Sequence, residues 1–348
     1  MPRIKEYNYS YLAERCYSQW HYDQPQAVAV DTETKGLSWY DEAFCATVAW
    51  DGGSFYLELD DKTSFEVLGT LLAGTPTLVF HNAKFDLQKL IMSGSLARDQ
   101  LTPERIEDTE AVHHLLWEHK PKRLKSMAKE LLGANTEETE ALKKAKKKLG
   151  LTKDDSYFLI PRPILVPYAV KDAEYTWQLY KMLKPRLKDE ELDLYNLEME
   201  LCLVLLDMEA AGMRVDQEYV NKTTKEYAGK ILEAELRLSD ACGLTVWYPP
   251  KAGKKTPEGC INPNAWQQTL PVIQSRGIPV DSTGDEALAP HRDDQFVGAL
   301  LDLRKLKKIH GTYLLGIQRE TKDGIIHPNF RQHGTKTGRM SSGGAEDG

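Results

Sequence analysis

The run Ala27-Val28-Ala29-Val30, followed at once by Asp31-Thr32-Glu33-Thr34, constrains this chain more than any other feature. Four small or β-branched apolar residues without a polar break predict a strand buried on both faces, as in a helix-covered sheet. Side chains alternate along a strand, so Asp31 and Glu33 leave its end on the same side. Two carboxylates held together destabilise each other's ionised forms unless a cation offsets them, which points to Mg²⁺ or Mn²⁺. A solvated strand end is the competing reading, because acidic loops are common and short motifs mislead.

The flanking pattern predicts an α/β domain. Ala46–Trp50 and Phe55–Leu59 read as strands joined at Asp51-Gly52-Gly53, whose glycines permit the positive φ angles of a tight hairpin. Helices are expected around Phe65–Leu72, Asp86–Met92, Thr109–Trp117 and Arg123–Leu132, with a fourth strand at Thr77–Phe80. This order gives a mixed sheet covered by helices. The charged stretch from Thr136 to Gly150 has almost no large apolar residues, so it is expected as an exposed helix or loop without a catalytic role. Pro161, Pro163 and Pro167 predict an extended connection before a helix carrying Tyr168 and Asp172. Beyond Lys188 long helical periodicities take over, Leu192–Ala211 ending at Gly212 and Gln217–Cys242 ending at Gly243. That change of texture predicts two domains, 1–188 and 189–348.

Two further segments carry acids. In His81-Asn82-Ala83-Lys84-Phe85-Asp86 a β-rich run gives way to a helix, and Asp86 can serve a metal or cap the helix, with Asn82 as a turn residue. In Tyr168-Ala169-Val170-Lys171-Asp172 the i, i+4 spacing stacks phenol and carboxylate on one helix face, a spacing a core Tyr beside a surface Asp also satisfies. His113, His114 and His119 have no acidic or cysteine pattern at ligand spacing and are expected in surface or packing roles. No GxxxxGK[ST] phosphate loop, GxSxG elbow or HExxH zinc helix occurs in the sequence.

Taken together, DTET, HNAKFD and YAVKD resemble the three motifs of the DEDD exonuclease superfamily, in the subgroup with Tyr in its third motif, which RNase D and polymerase proofreading domains share. The resemblance implies an RNase H-like mixed β-sheet flanked by helices, and two divalent metal ions. It makes Asp31 the ligand bridging both ions, Glu33 and Asp172 ligands of one, and Asp86 a ligand of the other through water. It also implies that Tyr168 orients the attacking water. Leu37 matches the position that wedges beside the terminal base, unless it is plain core, and Asn82 matches one that contacts the terminal nucleotide.

The second half resembles family A DNA polymerases. ELCLVLLDMEAAGMRVD at Glu200–Asp216 is similar to the segment joining exonuclease to thumb. Leu303–Leu306, Thr312-Tyr313, His327–Phe330 and the run GTKTGRMSS at Gly334–Ser342 follow the same family in order. The resemblance runs from about residue 26 to 342 and implies a mainly α-helical, thumb-like region and the start of a palm. Its implied partners are a single-stranded DNA 3′ end and primer–template DNA. Arg304, Lys305, Lys307, Lys308, Arg331, Lys336 and Arg339 become candidate phosphate contacts, although lysines on a helix are also a common solvated face.

Charge distribution fits such a partner better than the total does. Residues 304–339 hold nine Lys/Arg against two Asp/Glu, a local +7 that leaves −14 elsewhere for the net −7. After Ser342 the sequence reads GGAEDG, without the palm and fingers motifs of the family. The chain as given is therefore expected not to synthesise DNA alone, being truncated or completed by a second polypeptide. No run approaches the roughly 20 apolar residues of a membrane span. The start, MPRIKEYNYSYLAERC, lacks a signal-peptide core, and five scattered cysteines suit a reducing compartment. The resemblance to family A polymerases implies a bacterial or phage-infected host cytoplasm. Two readings stay open beside proofreading: a free-standing RNase D-like exonuclease acting on RNA, and a non-catalytic DNA-binding subunit.

Overall fold

A computed structural model describes residues 7–152, 155–250, 254–335 and 337–343. The chain forms two compact units, one built from the residues up to Gly212 together with those from His327 onward, the other from Met213–Ile326.

The first unit is organised by a five-stranded sheet, β1 (Ala27–Thr34), β2 (Ala43–Trp50), β3 (Gly53–Glu58), β4 (Thr77–Phe80) and β5 (Ile106–Asp108), in the order β3-β2-β1-β4-β5. The β1–β2 and β2–β3 pairs are antiparallel, whereas β1–β4 and β4–β5 are parallel. The sheet is thus the mixed, helix-flanked, RNase H-like architecture expected. Its helices are α1 (Tyr9–Asp23), α2 (Lys62–Gly74), α3 (Ala83–Ser93), α4 (Thr109–Leu116), α5 (Leu124–Leu132), α6 (Glu137–Lys148), α7 (Arg162–Leu183) and α8 (Asp189–Ala211).

The two faces of β1 do different work. Val28 and Val30 face the main core with Val48, Leu68, Leu78, Phe80 and Leu87, into which α8 inserts Tyr195, Met199 and Leu206. Ala29 faces the other way, with Ala49, Val79 and Ala173 of α7. Alanines at those crossing points let α7 lie close on the sheet, and Thr47 Oγ1 donates to the Ala169 carbonyl at 3.1 Å. Packing at Ala29 and Ala173 thereby fixes where their neighbours Asp31 and Asp172 meet.

Three local readings change. Pro161 is the N-cap of α7, Pro163 lies in its first turn and Pro167 inside it, so only Pro161 precedes the helix. Pro in a first turn removes only an N–H that has no intrahelical partner. α6 is a helix whose Leu142 and Ala145 are buried against Phe44, Cys45, Tyr56 and Leu165, so one face of that charged stretch belongs to the core. At the β2–β3 turn Gly52 is demanded by space: a Cβ there would overlap Asp23 Oδ2, which accepts the Trp50 indole N–H at 2.7 Å.

The second unit is mainly helical: α9 (Gln217–Cys242), α10 (Trp266–Ser275), the short α11 (Asp285–Leu288), α12 (Gln295–Lys308), a π-helical segment Ile309–Leu314 and α13 (Leu315–Glu320). Ala234 and Leu238 of α9 pack with Phe296, Leu300 and Leu303 of α12. Gly212 and Gly243 cap α8 and α9 as expected. Among the described residues no helix is long and apolar enough to cross a membrane.

Candidate active site

Alternation along β1 sends Asp31 and Glu33 toward α7, where Asp172 meets them. One carboxylate oxygen from each of the three lies within 4.8 Å of those of the other two. Thr32, on the opposite face of β1, engages the second motif: its N–H and Oγ1 donate to Asp86 Oδ1 at 2.8 and 2.7 Å. Asp86 is thereby held against the strand that carries the other two acids, outside their tight group.

Electrostatics mark the cluster as short of positive charge. Burial, then the charges of Asp172, Asp86 and Glu33, hold Asp31 well above the usual carboxylate range. Burial and Asp172 do the same to Glu33. Asp172 is raised by burial, against the opposing pull of Lys125. Burial pushes Asp86 up to about 7 in spite of the two bonds from Thr32. Asp31, Glu33 and Asp172 present hard carboxylate oxygens, the set that suits Mg²⁺ or Mn²⁺.

Tyr168, one turn before Asp172, is half-buried, and its ring stands perpendicular to Tyr157 with centroids 5.7 Å apart. Burial, and then Asp172 and Glu33, hold its phenol far above the usual range, so it keeps its proton at neutral pH. Leu37 is 58% exposed and is not part of the core. Asn82 is exposed, left-handed at φ 70°, and does not cap α3 with its side chain.

The cap comes from a residue the motifs did not flag. Asp108 accepts the N–H groups of Asn82 at 3.0 Å, Ala83 at 2.7 Å and Glu110 at 2.8 Å, so one carboxylate ties down the starts of α3 and α4. Asp86 is thus freed from capping. An Asp directly before Thr109-Glu110 is a helix-start signal, though nothing local reveals that it serves two helices. Lys125 is the other unflagged residue: its ammonium contacts Asp172 and lies 4.3 Å from the Tyr168 ring centroid.

The candidate DNA contacts fall in both units. Arg304 engages Thr283, and Lys307 stacks 3.3 Å from the Tyr248 ring centroid and lies 3.8 Å from Glu235. Lys305, Lys308 and Arg339 are exposed, Arg331 is half-buried, and Lys336 lies outside the described residues. His113 and His114 are buried beside Trp117 and His333 respectively, while His119 is exposed.

A mixed sheet delivering paired acids from its first strand and a third from a helix defines a nuclease-type domain. A family model described as 3′–5′ exonuclease matches residues 10–188, and the chain belongs to that family, in the branch of family A DNA polymerases. It is 30% identical over 296 residues to the DNA polymerase of Escherichia phage T5, covering 77% of this chain and 33% of that protein. It is 26% identical over 335 residues to the DNA polymerase DpoZ of Salmonella phage PMBT28, covering 91% and 52%. The chain thus spans about a third to a half of the length of these relatives. A solved POL domain of Pol1 from M. smegmatis, in complex with DNA primer-template and dNTP, shares the fold, with a TM-score of 0.61 at 21% identity over 90% of this chain and 50% of that one.

Proposed function

We propose that this chain hydrolyses phosphodiester bonds one nucleotide at a time from DNA 3′ ends, as the proofreading part of a family A replicative polymerase. The observation that carries the reading is the convergence of Asp31, Glu33 and Asp172 on one point, with Asp86 tied to the strand between them. Asp31, Glu33 and Asp172 would hold one Mg²⁺ or Mn²⁺, and Asp31 with Asp86 a second. When bound, such ions supply an acidified water as nucleophile and stabilise charge on the leaving 3′ oxygen.

The protein's own groups account for the rest. Tyr168, protonated at neutral pH, offers a fixed hydrogen-bonding hydroxyl that orients the attacking water. Thr32 aims Asp86, and Asp108 fixes the start of the helix on which Asp86 rides. Leu37 presents an exposed apolar side chain to the terminal base, and Asn82 a polar one to the terminal nucleotide. On this reading residues 1–188 form the exonuclease domain and 189–348 a partial polymerase region, thumb and start of palm. Arg304, Lys305, Lys307, Lys308, Arg331, Lys336 and Arg339 would contact the DNA backbone there. Matched single-stranded DNA and RNA oligonucleotides with Mg²⁺ test the substrate: preferential shortening of DNA supports proofreading, whereas preference for RNA favours the RNase D-like reading.

Two predictions arise from the site. In metal-free protein the raised carboxylates keep protons that the unfolded chain would release, so stability is full below about pH 4 and is lost as pH rises toward 7. Thermal melting without metal should therefore fall from pH 5 to 7.5, and Mg²⁺ should raise the melting temperature more at the higher pH. A pH-independent metal-free melting temperature would contradict this. Thr32→Val removes the 2.7 Å hydroxyl bond to Asp86 but leaves the backbone one. It should cost about 1–3 kcal/mol of stability and, by loosening Asp86, roughly 10–100-fold in exonuclease rate. An unchanged rate would remove Asp86 from the reaction.

A further inference from the structure

We propose that Lys125 is a positioning residue that neutralises Asp172 in the metal-free protein and transfers to Glu138 when a divalent cation binds. The inference rests on Asp31, Glu33 and Asp172 being metal ligands. Lys125, near the start of α5, sits between two acids carried by different helices. Its ammonium contacts Asp172 Oδ1 of α7 and lies 3.2 Å from Glu138 Oε1 in the first turn of α6. Both carboxylates are shielded, with side-chain exposures of 8% and 9%, so neither is well served by water. The rings of Tyr168 and Tyr175, with centroids 4.3 and 4.9 Å from the ammonium, give it a seat facing both acids.

A divalent ion held by Asp172 would put a second positive charge beside the lysine, and like charges repel strongly where water is scarce. Glu138 lets the ammonium remain paired without leaving its aromatic seat. Buried Leu142 and Ala145 hold α6, and hence Glu138, in place. Lysine and metal then compete for one carboxylate, and linkage makes the lysine's hold on Asp172 a direct deduction from metal affinity.

Mn²⁺ binding to the full chain, measured by calorimetry without DNA, tests this with Lys125→Met, Glu138→Gln and the double variant. Lys125→Met keeps the stem over the rings and should tighten Mn²⁺ binding by about tenfold, while Glu138→Gln should weaken it about fivefold because the lysine stays on Asp172. Simple field effects would give the same two signs, so the double variant decides. If Glu138 acts through Lys125, adding Glu138→Gln to Lys125→Met should change affinity by less than about twofold. Additive effects, or Mn²⁺ affinity unchanged in the single variants, would overturn the proposal. Lys125→Gln, which also removes the charge, replaces Lys125→Met if the latter does not fold, with the same expected tightening of Mn²⁺ binding and the same loss of the Glu138→Gln effect in the double variant. The two readings fail separately: Mn²⁺ binding that survives Asp31→Asn refutes the metal site itself.

Discussion

Asp31→Asn should reduce the rate of 3′ nucleotide release by at least about 10³-fold while leaving the fold intact. Asp31 is the carboxylate most surrounded by others, raised by Asp172, Asp86 and Glu33 together, and in the proposed scheme it alone serves both ions. The amide keeps its size, so packing around β1 persists. Removing one negative charge from a repelling cluster should even stabilise the metal-free protein. Loss of activity with an equal or higher melting temperature separates a chemical role from a structural one. A variant that retains more than about a tenth of the parent rate would make Asp31 dispensable.

The second large effect concerns stability. Lys84, in the second motif, is paired with Glu209 of α8, and both are buried, at 8% and 4% exposure. Glu209 also accepts the N–H of Phe330 at 2.6 Å, and Lys84 lies 3.2 Å from Asn329 Oδ1. The segment from His327 is held to the same unit by further contacts. His327 stacks on Trp39 with centroids 4.4 Å apart, Gln332 donates to Glu198 at 2.9 Å, and Lys122 binds the His333 carbonyl. Lys84→Met would leave the Glu209 carboxylate buried with one neutral donor, a loss of about 3–5 kcal/mol. In a unit of this size that lowers the melting temperature by roughly 6–20 °C. Combining it with Glu209→Met should recover much of the loss, since removing both charges avoids the orphan. A single variant within about 1 kcal/mol of the parent would mean that the pair does not hold this segment.

What the sequence made legible was periodic or capped. The unbroken apolar run Ala27–Val30 placed β1, period-two alternation turned Asp31 and Glu33 to one side, the apolar run Thr77–Phe80 predicted β4, and glycines marked the ends of α8 and α9. The mixed, helix-flanked sheet followed from that order, and the three motifs carried the family. The failures share a cause, namely partners distant in sequence. Lys125 is 47 residues from Asp172, and Glu209 is 125 from Lys84. Asp108 caps a helix that begins 25 residues earlier. α6 read as solvated because its apolar surface is only Leu142 and Ala145, too little for periodicity to register against so many charges. Pro163 misled because a helix accepts proline in its first turn, which composition alone does not distinguish from an extended linker, and Pro167 because α7 continues through it.

Exonuclease action can be read by digesting 5′-labelled and 3′-labelled single-stranded DNA over time with Mg²⁺, comparing the parent chain with Asp31→Asn. The parent chain should give a ladder of 5′-labelled products shortening by single nucleotides and immediate release of the 3′ label as a mononucleotide, and neither should occur with Asp31→Asn or with chelator. DNA that is bound but not shortened by the parent chain would contradict it and leave a DNA-binding subunit with an idle acidic site.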